Sequence, residues 1–154
     1  MRLTTNFTLE EMIFSQTASR YGLSNSPSQQ VIGNLQRLCE NVLQPLRNAF
    51  GPVVVSSGYR SSLVNSRVGG AANSDHLYGC AADITIPGIA NINIAEYIKN
   101  KMDFKQVILE FPVRGLPYAG WVHVSYEAGK NTKECLTAVK SDGKTVYLKG
   151  LIQP

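Results

Sequence analysis

Ser74-Asp75-His76-Leu77-Tyr78-Gly79-Cys80-Ala81-Ala82-Asp83 is the stretch of sequence that decides the fold and the site of this chain. It holds one of only two histidines. The other, His123, lies in Trp121-Val122-His123-Val124-Ser125. Two neutral imidazoles and one carboxylate make a three-ligand set for a metal ion. Three protein ligands and a fourth position left to water are typical of a catalytic zinc, whereas a structural zinc usually has four protein ligands.

The strands predicted around this stretch give the three side chains a common direction. Residues 81–86 alternate so that Asp83 faces away from the apolar positions of the strand. Residues 121–126 alternate in the same way, and His123 faces away from the valines on either side of it. Because side chains alternate between the two faces of a sheet, His76, Asp83 and His123 could meet on its non-core side.

The N-terminal third of the chain is predicted to be helical. A capping-box pattern at Thr8 predicts a short helix at about 9–15. Ser26-Pro27 is expected to cap a longer helix whose apolar residues keep helical spacing as far as Gly51. Pro45 falls inside that pattern and is expected to bend or loosen the last turn.

The rest of the chain is predicted to form a small sheet with one further helix. Residues 58–79 look like a long loop, and such loops are uncommon without a function. The other predicted elements are a buried strand at 53–56, a helix capped by Asn93 and Glu96, a strand at 106–111, and a hairpin that turns at Asp142-Gly143. The predicted fold class is α+β: one domain over residues 1–154, with helices mostly first and a mixed or antiparallel sheet after them.

Composition limits the classes of partner. The net charge of +4 and the pI near 9.0 favour anionic surroundings, but no arginine-rich run or basic aromatic stripe predicts a nucleic-acid partner. Three widely spaced cysteines indicate neither a disulfide framework nor a thiolate zinc site. No stretch is long enough for membrane insertion. The N-terminus has no apolar signal-peptide core, so we expect synthesis in a cytoplasm and, if the chain is exported, another route of exit.

Three segments resemble a known family. Residues 56–61, Ser-Ser-Gly-Tyr-Arg-Ser, are similar to its Ser-Gly-Tyr-Arg-Ser element. Residues 74–83 match its Ser-x-His-x-x-Gly-x-Ala-x-Asp signature, and residues 121–123 match its distal Trp-x-His strand. The family is the zinc D-alanyl-D-alanine carboxypeptidase and L-alanyl-D-glutamate peptidase group, which shares its fold with the hedgehog signalling domain. The resemblance covers roughly residues 42–126 and implies zinc held by His76, Asp83 and His123.

The resemblance also raises the question of the general base. In several relatives an acidic residue stands three positions before the distal histidine, and this chain has Gly120 there. The expected replacement is Glu110, at the end of the strand predicted to pair with residues 121–126. Asp75 and Glu127 are weaker candidates, since Asp75 adjoins a ligand and Glu127 follows the strand.

The remaining candidate residues would bind substrate. In the family, the arginine at the position of Arg60 holds a carboxylate or a developing oxyanion, which suits a bidentate guanidinium. Ser74 is expected to hydrogen-bond substrate or backbone. Tyr59 and Trp121 are candidate substrate-binding residues that we expect to pack the wall of the site and not to take part in the chemistry, and Tyr78 could do either.

The resulting expectation is a zinc metallopeptidase that cuts peptide bonds in bacterial peptidoglycan stems. The sequence is equally compatible with a D-Ala-D-Ala carboxypeptidase and an endopeptidase, and it does not determine the oligomeric state. Small size and the missing signal peptide suggest a phage or prophage lysis enzyme that acts at the cell wall after release or as a virion component. The alternatives are a catalytically silent zinc module that binds the wall or builds the virion, based on Gly120, and a DNA-binding protein, based on charge alone.

Overall fold

The computed structural model describes all residues, 1–154, and shows an α+β architecture. The strands are β1 Arg2–Thr4, β2 Phe7–Thr8, β3 Val54–Ser57, β4 Ala81–Thr85, β5 Gln106–Glu110, β6 Trp121–Ser125, β7 Glu134–Ser141 and β8 Lys144–Lys149. The α-helices are α1 Leu9–Ile13, α2 Gln16–Tyr21, α3 Gln29–Leu38, α4 Gln44–Phe50, α5 Ser62–Arg67 and α6 Asn91–Lys101. A π-helical turn, Cys39–Leu43, joins α3 to α4, and a 3-10 turn, Asp75–Tyr78, precedes β4.

Six of the strands form one mixed sheet in the order β3-β4-β6-β5-β7-β8. Every neighbouring pair is antiparallel except β5 and β7, which run parallel. β1 and β2 form a separate two-stranded sheet that the sequence did not predict. The predicted α+β class and mixed sheet are confirmed.

The hydrophobic core lies on one face of the six-stranded sheet. A single cluster of 22 buried residues joins the inner faces of α3 and α6 to the apolar positions of β4, β5 and β6. In β4 these are Ala82 and Ile84, and in β6 they are Val122 and Val124. The predicted alternation is therefore confirmed, and the opposite face of the sheet is left for Asp83 and His123.

The long helix begins later than predicted and changes its winding. Ser28, not Ser26, is the N-cap, and its hydroxyl accepts a hydrogen bond from the Val31 N–H at 3.2 Å. Pro45 follows the π-helical turn at the start of α4. Proline has no N–H and crowds the preceding turn of a helix, and the wider π-helical turn accommodates it. The distortion therefore lies before Pro45 and not, as predicted, in the last turn of the helix.

The predicted loop at 58–79 contains two short helical elements, so that prediction is wrong in part. Ser61 caps α5 by accepting from the Val64 N–H at 3.3 Å. Ser74 caps the 3-10 turn by accepting from the His76 N–H at 3.2 Å. Both elements are short and mostly polar, so they give little of the apolar periodicity that indicates a helix.

Three other predicted boundaries differ from the structure. The strand expected to be buried at 53–56 is the edge strand β3, and Val54 is half exposed. Helix α6 begins at Asn91 with no side-chain cap, so the predicted cap at Asn93 is wrong. Helix α2 was not predicted, although Ser15 caps its start and Gly22 ends it in the left-handed conformation.

The hairpin between β7 and β8 forms as predicted. Asp142 and Gly143 both have positive φ, 50° and 76°. This backbone conformation is that of the tight turn favoured by Asp-Gly, whose twist matches that of the two flanking strands.

No helix combines the length and apolarity needed to span a bilayer.

All three cysteines are free. Burial raises the pKa of the Cys39 and Cys80 thiols to about 12 and about 11, as expected of cysteines that serve as small packed side chains.

Candidate active site

The sheet and the turn before it bring the three predicted metal ligands together. Asp83 on β4 lies directly opposite His123 on β6, so both side chains project from the same face. His76 reaches them from the 3-10 turn, which ends at Gly79 with φ 74° and leads into β4. The possible ligand atoms of the three side chains lie within 4.8 Å of one another.

A backbone hydrogen bond fixes the orientation of His76. The imidazole is buried, and its Nδ1 lies 2.7 Å from the carbonyl oxygen of Gly58. A carbonyl can only accept, so Nδ1 carries the proton and donates it. For the neutral ring, the lone pair of Nε2 then points to Asp83 Oδ1 at 3.3 Å. The sequence does not identify this acceptor, because Gly58 is 18 residues away from His76.

The electrostatics of Asp83 suit a cation site. Burial alone would raise its pKa, but its contacts with the imidazoles of His123 and His76 outweigh burial and hold that pKa well below its usual range. His123 Nδ1 lies 3.0 Å from the same Oδ1 atom that faces His76. Two electron-pair donors repel each other at such distances unless a proton or a metal cation lies between them. Two imidazoles and a carboxylate are ligands that zinc accepts, so the residues fit this metal.

Position 58 requires a glycine, because a side chain there would not fit. A Cβ atom at this position would overlap the carbonyl oxygen of Met12. The neighbouring Tyr59 N–H donates to that same carbonyl at 2.8 Å, which ties the chain after β3 to α1. The glycine of the Ser-Gly-Tyr-Arg segment therefore permits the close approach that presents its own carbonyl to His76.

Asn25 is a positioning residue that sequence reasoning missed. Its side-chain N–H groups donate to the carbonyls of Ile13 and Tyr59 at 2.7 and 3.1 Å, and its side-chain oxygen accepts from the Ser61 N–H at 2.7 Å. The bonds to Tyr59 and Ser61 hold the backbone on both sides of Arg60, and the bond to Ile13 ties this segment to the end of α1. Nothing in the sequence near Asn25 indicates this role, because its partners are 12, 34 and 36 residues away.

The three ligands lie in the wall of a cleft of about 560 Å³. Polar residues line one end of the cleft: Asn73, Ser74, Asp75, Lys105 and Gln106. The other end is lined by Glu110, Phe111, Trp121, Thr145 and Tyr147, and Arg60 also lines the cleft.

Glu110 enters this cleft as its strand pairing predicted. It ends β5 directly opposite Trp121 on β6, one strand away from the ligand-bearing part of the sheet. Burial raises the pKa of Glu110 to about 7, the charge of His123 lowers it, and that of Asp83 raises it. A carboxyl group with such a pKa can exchange a proton near neutral pH.

Gly120 is not a position from which an acidic side chain could serve this cleft. Its φ is 77°, and a Cβ atom there would overlap the carbonyl oxygen of Glu110. The backbone of β5 therefore occupies the space that a side chain at residue 120 would need. The departure from the acidic residue of several relatives follows from this close packing of Gly120 against Glu110.

The two weaker candidates for the base are engaged elsewhere. The ammonium group of Lys105 lies 2.8 Å from Asp75 Oδ1 and 2.9 Å from Glu127 Oε1. The bond to Lys105 lowers the pKa of Glu127. Burial alone would lower the pKa of Lys105, but its bonds to Asp75 and Glu127 outweigh burial and raise it. Both carboxylates are therefore already paired with a lysine, and Glu110 is left as the candidate for the base.

Arg60 is placed to meet an anion. Its backbone N–H donates to the carbonyl of His76 at 3.0 Å, and its side chain lines the cleft. Burial lowers the pKa of the guanidinium, while the charge of Asp83 raises it. Its buried Nε–H has no acceptor in the protein, so a donor remains for a bound group.

The other candidate substrate-binding residues divide between the cleft and the core. Trp121 lines the cleft, and its buried indole N–H has no acceptor in the protein. Ser74 also lines the cleft, but its hydroxyl caps the 3-10 turn. Tyr59 packs in the hydrophobic core, because its side chain turns away from the face of Arg60, and it does not line the cleft. Tyr78 is exposed outside the cleft.

Comparison with known proteins identifies the family. The family model described as Peptidase M15 matches residues 5–125, which hold all three ligands, Arg60 and Glu110. The chain belongs to the peptidase M15 family. A stretch of 44 residues is also 54% identical to a zinc D-Ala-D-Ala carboxypeptidase of Streptomyces albus G. It covers 27% of this M15 chain and 17% of that protein, so the chain matches less than a fifth of the relative's length.

Proposed function

We propose that this M15 chain is a zinc-dependent peptidase that hydrolyses peptide bonds in bacterial peptidoglycan stems. The observation that carries the proposal is the meeting of His76, Asp83 and His123 in one cleft with the buried carboxyl group of Glu110. The similarity to a zinc D-Ala-D-Ala carboxypeptidase supports both the metal and the class of substrate.

The three ligands would hold zinc at the wall of the cleft, with the cleft side open for substrate. When bound, zinc supplies Lewis-acid polarisation of a carbonyl and lowers the pKa of water. Hydrogen bonding to Gly58 keeps Nε2 of His76 free for the metal, and the paired register of β4 and β6 keeps Asp83 beside His123. The protein thus contributes a preformed ligand set.

Glu110 is proposed as the general base that takes a proton from the attacking water and passes it to the leaving amine. Burial raises its pKa above that of an ordinary carboxyl group, which favours acceptance of a proton from water. The alternative of a catalytically silent zinc module was based on the missing acid at residue 120. A carboxyl group from β5 in the same cleft favours the catalytic alternative.

Arg60 is proposed to bind a carboxylate of the substrate or the oxyanion that develops during hydrolysis. Its free Nε–H and its position in the cleft support this role. Peptidoglycan stems carry carboxylates at D-glutamate and at terminal D-alanine, so a guanidinium in the cleft suits either a carboxypeptidase or an endopeptidase. We also propose that this peptidase acts in phage or prophage lysis.

Mass spectrometry of purified peptidoglycan after incubation with the protein tests the proposal. We expect released stem-peptide fragments or free D-alanine, with uncut glycan strands. A chelator should abolish the release, and added zinc should restore it. Free D-alanine alone would indicate a carboxypeptidase, and new internal amino termini would indicate an endopeptidase. Intact peptidoglycan under all these conditions would contradict the proposed function.

A further inference from the structure

The active-site cleft extends beyond the part of the chain that matches the family. Thr145 and Tyr147 line the same cleft as the metal ligands, yet they belong to β8, 20 or more residues after the matched segment ends at residue 125. This wall of the cleft therefore comes from the C-terminal hairpin.

Strand register places Tyr147 in one row with Glu110. Trp121 lies opposite Glu110, Glu110 lies opposite Ala138 on β7, and Ala138 lies opposite Tyr147. Directly paired residues of neighbouring strands project from the same face of a sheet. The row therefore runs across four strands on the cleft face, from Trp121 to Tyr147.

Ala138 allows the two longer side chains of this row to approach each other. Neighbouring strands are about 4.8 Å apart, so Glu110 and Tyr147, two strands apart, have backbones about 10 Å apart. The methyl side chain of Ala138 is fully buried between them. Burial raises the pKa of the Tyr147 phenol and the charge of Glu110 raises it further, as expected if the phenol ring extends over Ala138 toward the carboxyl group.

The two ends of the cleft differ in chemistry. Three aromatic residues surround Glu110: Phe111 and Trp121, whose rings meet edge to face at 5.5 Å, and Tyr147. The opposite end carries the polar or charged side chains of Asn73, Ser74, Asp75 and Gln106 around Lys105. At this polar end, Lys105 already pairs with Asp75 and Glu127. At the aromatic end, the Lys140 ammonium lies 5.3 Å from the centre of the Phe111 ring and donates to the Thr145 hydroxyl at 3.1 Å.

We propose that Tyr147 is a specificity-determining residue, whose ring forms with Trp121 and Phe111 an apolar subsite for an uncharged residue of the peptide next to the scissile bond. The proposal rests on the proposed peptidase function. It assigns the recognition to the ring face, so the phenolic hydroxyl is dispensable. A charged side chain would have to lose water to pack against the three ring faces, so an uncharged side chain is favoured there.

Steady-state kinetics on two synthetic stem peptides test the subsite. One peptide carries an uncharged side chain next to the scissile bond, and the other carries a carboxylate side chain at the same position. The pair is tested with this position on the amino side of the bond and again with it on the carboxyl side. We expect Tyr147→Ala to raise KM for the uncharged peptide by about tenfold, which corresponds to about 1.4 kcal/mol of binding. Tyr147→Phe should stay within about twofold of the wild type, because it keeps the ring face that the subsite uses. Val146→Ala, on the opposite face of β8, is the matched control and should change neither kcat nor KM.

Tyr147→Lys, which places a charge in the subsite, tests the proposal through a gain of activity as well as a loss. Tyr147 is half exposed, so its substitutions should leave the melting temperature and zinc content near those of the wild type. Tyr147→Lys should lower kcat/KM for the uncharged peptide and raise it for the carboxylate peptide.

Three results would overturn the inference in distinguishable ways. An active wild type with unchanged KM in Tyr147→Ala, and unchanged peptide preference in Tyr147→Lys, would remove the subsite and leave the peptidase function intact. Equal losses in Tyr147→Phe and Tyr147→Ala would assign recognition to the hydroxyl instead of the ring. A zinc-loaded wild type that cleaves neither these peptides nor peptidoglycan would contradict the proposed function, and the subsite with it.

Discussion

The imidazole of His76 and the carbonyl of Gly58 are joined by a buried 2.7 Å hydrogen bond, although the two residues are 18 positions apart. This bond determines which nitrogen of His76 faces Asp83. It depends on the absence of a side chain at Gly58, since a Cβ atom there would overlap the Met12 carbonyl.

Gly58→Ala is therefore expected to weaken metal binding without removing a ligand. Groups that orient a ligating histidine typically contribute about 10- to 100-fold in metal affinity. Competition between the protein and a zinc-binding dye would measure the loss. Gly33→Ala in α3 is the control: its new methyl group would meet only the end of the Arg37 side chain at 3.6 Å. Equal zinc affinity in the two folded variants would contradict the role of Gly58.

The packing of Gly120 against Glu110 leads to a prediction about stability. Gly120→Ala should lower the free energy of unfolding by about 1–3 kcal/mol more than Gly129→Ala, the usual scale of overpacking. Both glycines have positive φ, 77° and 82°, so both variants incur the left-handed penalty, but only Gly120 has backbone in the way. Chemical denaturation of the two variants measures the difference. Equal losses of unfolding free energy in the two variants would mean that overlap with the Glu110 carbonyl does not destabilise Gly120→Ala.

The raised pKa of Glu110 predicts that the free energy of unfolding of the metal-free protein depends on pH. The pKa is about 7 when folded and near 4.5 when unfolded, so the folded state binds more protons between these values and stability falls as pH rises through them. Glu110→Gln removes the ionisation. It should stabilise the chelator-treated protein at pH 8 and have little effect at pH 4.

Denaturation midpoints at the two pH values check this prediction. The control is Glu127→Gln at pH 8, which should change stability in the opposite direction, because the pKa of Glu127 is lowered by its bonds to Lys105 and Lys130. If Glu110→Gln is no more stable than the wild type at pH 8, burial of the ionised Glu110 carboxylate does not lower the free energy of unfolding, and the prediction is wrong.

Arg60→Lys keeps the positive charge and loses the planar fork of donors, so it should lower kcat/KM for wall peptides despite its conservative appearance. Arg114→Lys, at an exposed position away from the cleft, is the control and should have no effect. Peptide kinetics at several salt concentrations would measure both variants and the screening of the charge. Wild-type kinetics in Arg60→Lys would show that only charge, and no bidentate contact, is used.

The ligand set could be predicted from sequence because strand periodicity is local. Asp83 and His123 each alternate with buried apolar residues, so their common face follows from the pattern around each residue. Glu110 follows from the same alternation once β5 is paired with β6. The hairpin at Asp142-Gly143 was equally predictable, since its turn requires residues that tolerate positive φ.

The residues that were missed act through contacts distant in sequence. Asn25 bonds to residues on α1 and after β3, and Gly58 is constrained by Met12, so neither role is visible in a local pattern. Tyr59 adjoins Arg60, but its side chain turns into the core, which the neighbouring arginine does not indicate. The C-terminal wall with Tyr147 was missed because it depends on the parallel pairing of β5 with β7.

The central claim is that Glu110 and the three metal ligands hydrolyse a peptide bond of the cell wall. Mass spectrometry of peptidoglycan digested by the wild type and by Glu110→Gln, at equal zinc content, tests it most directly. Glu110→Gln should retain one zinc per chain and release peptide products about a hundredfold or more slowly, the scale expected for a positioned acid–base group. His76→Ala should lose both zinc and products. Reducing sugar ends without new amino termini or free D-alanine, or undiminished release by Glu110→Gln, would contradict the claim.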